Sequence, residues 1–206
     1  MTFPTDRRRA LIGLASLCSA PWCAHAQGAF TLTLLMQALA QVKAGEGSFV
    51  ERRTVQMLER TLESSGRISF EAPDTFFRET IKPRRESVKV VGNMVTMSQG
   101  SRSRTISLDA APEAALIFEA IRGTLTGNRE ALEKNFKATV SGSAERWSLE
   151  LVPREVLLRE LVLSIRLSGA RALVREVLVV MADGDRSVMT IEPVITSTAA
   201  PASAAR

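Results

Sequence analysis

The stretch SSGRISFEAPDTFFRET, residues 64–80, sets how the rest of the chain is read. It holds two strand-like pieces, Gly66–Glu71 and Thr75–Thr80, broken by Ala72-Pro73-Asp74. β-Branched and aromatic residues suit a pleated, half-buried surface, and a Pro-Asp break marks a turn between two such runs. Phe70, Phe76 and Phe77 sit there among Arg and Glu, so the pair is apolar but fringed with charge.

The β pattern continues on both sides. Upstream, Ser48–Leu58 is strand-like, with Phe49, Val55 and Met57 on one parity. Downstream, Glu86–Val91 and Met94–Gln99 flank Gly92-Asn93, a two-residue hairpin signal, and Arg102–Leu108 is the next strand. Connections this short require antiparallel neighbours, because a parallel crossover needs a dozen residues or more. Helical spacing appears twice. Leu32, Leu35, Met36, Leu39 and Val42 predict a helix over Phe30–Ala44, ended by Gly45. Asp109 and Pro112 open a helix over Glu113–Leu125, with Leu116, Ile117, Ile121 and Leu125 on one stripe and Phe118 widening it. Asn128 caps a second short helix reaching Phe136. Strands then resume over Glu145–Val152, Leu161–Ser168, Ala172–Met181 and, past Asp183-Gly184, Arg186–Ile191. In the first of these Trp147, Leu149 and Leu151 alternate with Arg146, Ser148 and Glu150. The sum is an α+β chain of about nine to eleven antiparallel strands, one N-terminal helix and two mid-chain helices. The apolar strand faces must be covered by those helices or by a second sheet.

The ends read differently from the middle. Arg7-Arg8-Arg9, the apolar stretch Ala10–Pro21 and Ala24-His25-Ala26 predict a cleaved signal peptide over residues 1–26. The stretch is too short for a membrane span, which needs about 20 apolar residues. Arg8-Arg9 hints at twin-arginine export, but a general secretory signal fits better. Leu17 and Trp22 precede Cys18 and Cys23 and are too large for a lipobox. Residues 196–206 are rich in Ala, Ser and Pro and read as a disordered tail, which leaves 27–195 as one domain.

Loss of the signal removes both cysteines and the one histidine, and the chain has no tyrosine. Disulfides, zinc sites and Ser–His or Cys–His nucleophiles go with them. No S-x-x-K motif occurs, and a hydrolase built on acids such as Asp74 and Glu79 has nothing to place them together. The composition therefore speaks against an enzyme, a metal centre or a cofactor. Of 27 Lys+Arg and 22 Asp+Glu, the signal takes three Arg and one Asp, leaving 24 against 21. That balance does not suit nucleic acid, which needs a clustered basic face with stacking aromatics. The densest basic run, Lys82, Arg84 and Arg85, is either a solvated turn or a patch for anionic lipid or a partner.

The order of motifs resembles a family. Gly66-x-Ile68-x-Phe70-x-x-Pro73-x-x-Phe76-Phe77-Arg78 is similar to a segment of the LolA family, the periplasmic outer-membrane lipoprotein carriers. Pro83 with Val88–Val91 before Gly92-Asn93 resembles its hairpin, and the helices within 111–136 fall where its mid-chain helices fall. Trp147-Ser148-Leu149-x-Leu151-x-Pro153 and Asp183-Gly184-Asp185-Arg186-Ser187 resemble later segments, so the likeness spans 30–193. The resemblance implies an unclosed half-barrel with the helices as a lid over a hydrophobic cavity for acyl chains. It places Phe70, Phe76, Trp147 and Leu149 on the wall and Ile117, Phe118, Ile121 and Leu125 on the lid. It also implies a monomeric periplasmic carrier between an inner-membrane exporter and an outer-membrane acceptor. In those carriers an arginine directly before the proline hydrogen-bonds the lid. Here the position is Ala72, which marks a divergent member whose cargo is a lipoprotein or another acylated compound.

The residues alone leave alternatives open. Period-2 apolar strands and the Ile117/Ile121/Leu125 stripe also describe a solid core, and Trp147 is equally a packing residue. Arg78 reads as a strand-surface or lid-contacting charge, or as a binder of cargo headgroups. A periplasmic module that senses lipids or lipoproteins without transporting them is the rival function.

Overall fold

The computed structural model describes residues 30–58 and 60–194. The expected signal peptide and the expected disordered tail lie outside the described residues. Eleven strands form one antiparallel sheet: β1 (Ala44–Val55), β2 (Arg60–Glu71), β3 (Thr75–Lys82), β4 (Glu86–Val91), β5 (Met94–Gln99), β6 (Arg102–Ser107), β7 (Phe136–Ser143), β8 (Arg146–Pro153), β9 (Val162–Ala170), β10 (Leu173–Met181) and β11 (Arg186–Pro193). Their order is β6-β5-β4-β3-β2-β1-β11-β10-β9-β8-β7. Every neighbour is consecutive in sequence except β1 and β11, paired from Gly47↔Pro193 to Thr54↔Arg186. The edges β6 and β7 do not meet, so the half-barrel stays unclosed.

The opening stretch builds β2 and β3 and explains its own glycine. Phe70 pairs with Phe76 and Ile68 with Arg78, and the register shifts between Ser65 and Gly66. A Cβ at Gly66 would lie 1.8 Å from the Glu79 carbonyl oxygen, so no other residue allows the strands to close on that bulge.

Four helices accompany the sheet: α1 (Leu32–Leu39), α2 (Pro112–Leu125), α3 (Arg129–Asn135) and α4 (Val156–Arg159). Thr31 caps α1 and Asn128 caps α3, where Asn128 Oδ1 accepts from the Ala131 N–H at 3.0 Å. Pro112 occupies the first turn of α2, where its missing N–H costs nothing.

The boundaries differ from the sequence reading in several places, among them the end of β1 at Val55, where Gln56–Leu58 form a 3-10 turn instead of more strand. The first helix ends at Leu39 rather than Ala44, and the residues after it enter β1 by pairing Ala44 with Glu71. β2 begins at Arg60, so Arg60–Ser65 pair with β1 although their own pattern is polar. β7 and α4 have no counterpart in the sequence reading. For β2 and β7, strand pairing overrides a weak local pattern.

Most of the large buried side chains lie on the helix-covered face and form two clusters. The larger joins Leu35, Met36 and Leu39 of α1, Leu116 and Ala120 of α2 and Leu132 of α3 to Trp147, Leu149, Leu151, Ile165, Leu167 and Val177 of β8–β10. The smaller joins Val90, Val95 and Leu108 to Phe118 of α2, with Phe76, Val88, Ile106 and Ala115 packed against it. Helix α2 therefore belongs to both.

Candidate functional site

The site is built on the inner face of β1–β6. Antiparallel register puts Phe49, Phe70, Phe76, Val90, Val95 and Ile106 on that face in adjacent strands. Phe77 points to the opposite face, since it pairs with Ser69 and is 37% exposed. Phe77 therefore does not join the apolar wall expected of the three phenylalanines; strand alternation separates it from Phe76.

Helix α2 covers the upper part of this wall. The Phe70 and Phe76 rings lie 4.9 Å apart, and Phe118 meets Phe76 edge-on at 4.7 Å and 76°. Such geometry matches the ring quadrupoles and adds about 0.5–1.5 kcal/mol per pair beyond burial. Three of the eight expected site residues thus touch in a row from sheet to helix. Ile117 packs against the larger cluster, while Ile121 and Leu125 are half-buried and belong to neither. Trp147 and Leu149 stand apart in the β7–β10 half, 1% and 0% exposed. Trp147 lies against Gly169, where a Cβ would approach its ring to 2.6 Å, and its Nε1–H donates to the Arg171 carbonyl at 2.8 Å.

A single charged side chain ties α2 to the sheet. Arg122 Nη2 donates to the Gly92 carbonyl in the β4–β5 turn, and its guanidinium sits 4.6 Å over the Phe118 ring. Its Nη1 pairs with Glu119 at 3.0 Å, and its Nε is buried with no partner among the described residues. The next residue of the turn, Asn93, donates from Nδ2 to Asp109 at 2.7 Å and to Ser107 at 3.0 Å, which holds the start of the helical segment. The sequence reading did not single out Arg122. Its signal was a cation three residues from Glu119 on an otherwise apolar helix, which reads as an ordinary surface pair.

Lower on the same face lies a polar group. Arg78 Nη2 donates to Glu51 Oε2 at 2.5 Å and to Ser64 at 3.2 Å, and Ser187 donates to Glu51 Oε1 at 2.5 Å. The Arg78 guanidinium also lies 4.4 Å over the Phe49 ring. Burial alone raises the Glu51 pKa. The Arg78 charge and the hydrogen bonds from Ser187, Arg78 and Ser64 together outweigh burial and hold the carboxyl below its ordinary 4.5.

Two hollows bear on the site. One, of about 160 Å³, is lined by Ala44, Gly45, Glu46, Ser69, Phe70, Glu71 and Thr75 at the top of β1–β3. The other, of about 530 Å³, is an open depression beside Arg129, Glu130, Glu133 and Lys134 of α3. Neither is an enclosed apolar chamber beneath α2, which instead rests on the wall through Phe118. No group of three or more His, Cys, Asp or Glu able to hold a metal ion occurs among the described residues.

A LolA superfamily protein from Nitrosomonas europaea aligns in structure with a TM-score of 0.44 at 10% identity, over 80% of this chain and 92% of its own. A domain named for outer-membrane lipoprotein sorting, from Vibrio parahaemolyticus, aligns at 0.43 and 8%, over 81% and 92%. A DUF1329 family protein from Desulfovibrio piger aligns at 0.42 and 8%, over 78% and 88%. No curated protein sequence matches significantly. The family described as outer membrane lipoprotein carrier protein LolA-like matches residues 24–206. That match spans nearly the whole chain, and the protein belongs to this LolA-like family.

Proposed function

We propose that the protein is a periplasmic carrier that binds the acyl chain of a lipoprotein or another lipid and ferries it from inner to outer membrane. The observation that carries the reading is the Phe70–Phe76–Phe118 contact, an apolar wall covered by one helix and tied by one arginine. Family membership supports it. The chain works as a monomer without covalent chemistry, receiving cargo from an inner-membrane exporter and passing it to an outer-membrane acceptor.

Because α2 rests on the wall, the acyl chain takes the place of the helix contacts rather than entering a ready hollow. Uncovering Phe118 forfeits about 1.5–3 kcal/mol, and each acyl methylene buried returns about 0.8 kcal/mol. Roughly four methylenes therefore offset the phenylalanine, and the rest of the chain supplies affinity after ordering costs. The eight residues expected from sequence divide accordingly. Phe70, Phe76, Phe118, Ile121 and Leu125 face the cargo, Ile117 lies at its margin, and Trp147 and Leu149 support the far wall.

The test is to purify the protein from periplasm, identify bound lipid by mass spectrometry, and titrate a fluorescent acyl probe. Bound lipid and saturable probe binding are expected. Absence of both ends the carrier reading.

A further inference from the structure

The up-and-down order of β1–β6 sends the β1–β2, β3–β4 and β5–β6 connections to one rim of the sheet. The β2–β3 and β4–β5 turns and the entry to α2 go to the other rim. Neighbouring connections on one rim are two strand spacings apart, about 10 Å. The two rims carry opposite charge. The first holds Arg60, Lys82, Arg84, Arg85 and Arg102, all exposed, with Glu86 among them and Asp183 and Asp185 in the adjoining β10–β11 turn. The second holds Glu71, Asp74 and Asp109, with Lys43 as the cation beside them.

Among the described residues, one ion pair engages the five cations: Arg85 to Glu79 at 3.6 Å, with Arg85 75% exposed. A pair that open contributes little. The charges are spaced within about two Debye lengths, so their fields add toward a surface approaching that rim.

The same rim carries an apolar tip. Met57, between β1 and β2, is 93% exposed. Its position is built: the N–H of Gln56 donates to Asp185 Oδ1 at 3.0 Å, and Arg53 pairs with Asp185 Oδ2 at 2.9 Å. The connection is thus pinned from below while the methionine projects outward.

We propose that this rim is the surface on which the protein rests against an anionic phospholipid bilayer, with the five basic residues over the headgroups and Met57 dipping among them. A basic rim flanking one exposed apolar side chain matches the chemistry of an interfacial contact. Nucleic acid is a poorer fit, because the rim offers no aromatic for a base to stack on. The proposal does not depend on the inner face carrying a lipid, so the two readings fail separately.

The experiment is vesicle flotation of the mature protein with phosphatidylcholine alone and with added phosphatidylglycerol, at low and high salt. Flotation is expected with phosphatidylglycerol and should fall as salt rises. Each basic residue near such a surface is worth roughly fivefold in partitioning, so R84E/R85E/R102E, which removes three positive charges and adds three negative ones, should lose more than about a hundredfold. Met57→Asp should lose severalfold with the same salt dependence, and circular dichroism should show both variants folded. Equal flotation on phosphatidylcholine alone overturns the proposal. So does unchanged flotation of the triple variant, or binding to an acidic protein partner with none to vesicles.

Discussion

Glu51 and Arg78 meet on the inner face across Ser64, which sits on the strand between them. Breaking a half-buried ion pair in an apolar wall costs more than forming it contributes, because losing one partner strands the other charge. Glu51→Gln should therefore lower stability by about 1–3 kcal/mol at neutral pH. The folded-state pKa of Glu51 is depressed, so its contribution is present above the ordinary 4.5 and is lost as pH falls through the folded value. In that window the unfolded chain binds more protons, and stability rises with pH. Asp185, held low by the Arg53 side chain and the Gln56 N–H, adds to the same acid loss. Thermal melts from pH 7 to 3 should show a falling Tm below about pH 4.5. Glu51→Gln should begin lower and fall less steeply. Parallel curves for the two proteins would show that Glu51 makes no such contribution. At this scale the sequence revealed the apolar residues and missed their polar partners. Nothing local links Glu51 to Ser187, which are 136 residues apart and meet only because β1 pairs with β11.

Helix α2 is the element that decides between a solid core and a cover. Its Leu116 and Ala120 flank is fully packed in the larger cluster, while Phe118 is 9% exposed in the smaller. Ile121 is half-buried and in neither, so on the carrier reading a charge there disturbs cargo binding more than the core. Ile121→Asp should weaken acyl-probe binding at least tenfold while costing roughly 1 kcal/mol of stability, within the ordinary range for single substitutions. Trp147→Ala should do the reverse in kind, destabilising by about 3–5 kcal/mol through a cavity in the larger cluster. Urea unfolding alongside probe titration separates them; equal losses of binding and stability in Ile121→Asp would make α2 ordinary core. Long, strongly periodic elements such as α2 and β8 were legible from sequence nearly to the residue. β7 was not, because Ala138 and Val140 are a thin apolar signal on an edge strand. The Gly45–Gly47 stretch hid the start of β1, since glycine reads as a break until its two strand partners are known.

At the scale of the whole molecule, one sheet carries two unequal halves. In β8 and β9 the inward residues Trp147, Leu149, Leu151, Ile165 and Leu167 are at most 1% exposed, whereas Val90, Val95 and Phe118 of the other half are 6–9% exposed. Packing that complete resists local opening, so the looser cluster is expected to open first. Arg122 is the polar link that holds α2 to the looser half, through the Gly92 carbonyl. A hydrogen bond from a charged donor contributes about 1.5–3 kcal/mol, so Arg122→Ala should raise the open population by roughly ten- to a hundredfold. Hydrogen exchange followed by mass spectrometry reads this by segment. In the native protein, α2 and β4–β6 should exchange faster than β8–β9, by openings smaller than global unfolding. Arg122→Ala should accelerate α2 and β4–β6 by about the same factor and leave β8–β9 within about threefold of its native rate. On the proposed carrier reading, the same substitution should quicken acyl-probe uptake, because cargo would enter where the helix lifts. Uniform acceleration across all eleven strands would mean that the two halves open as one body, and that Arg122 stabilises the fold without gating its inner face.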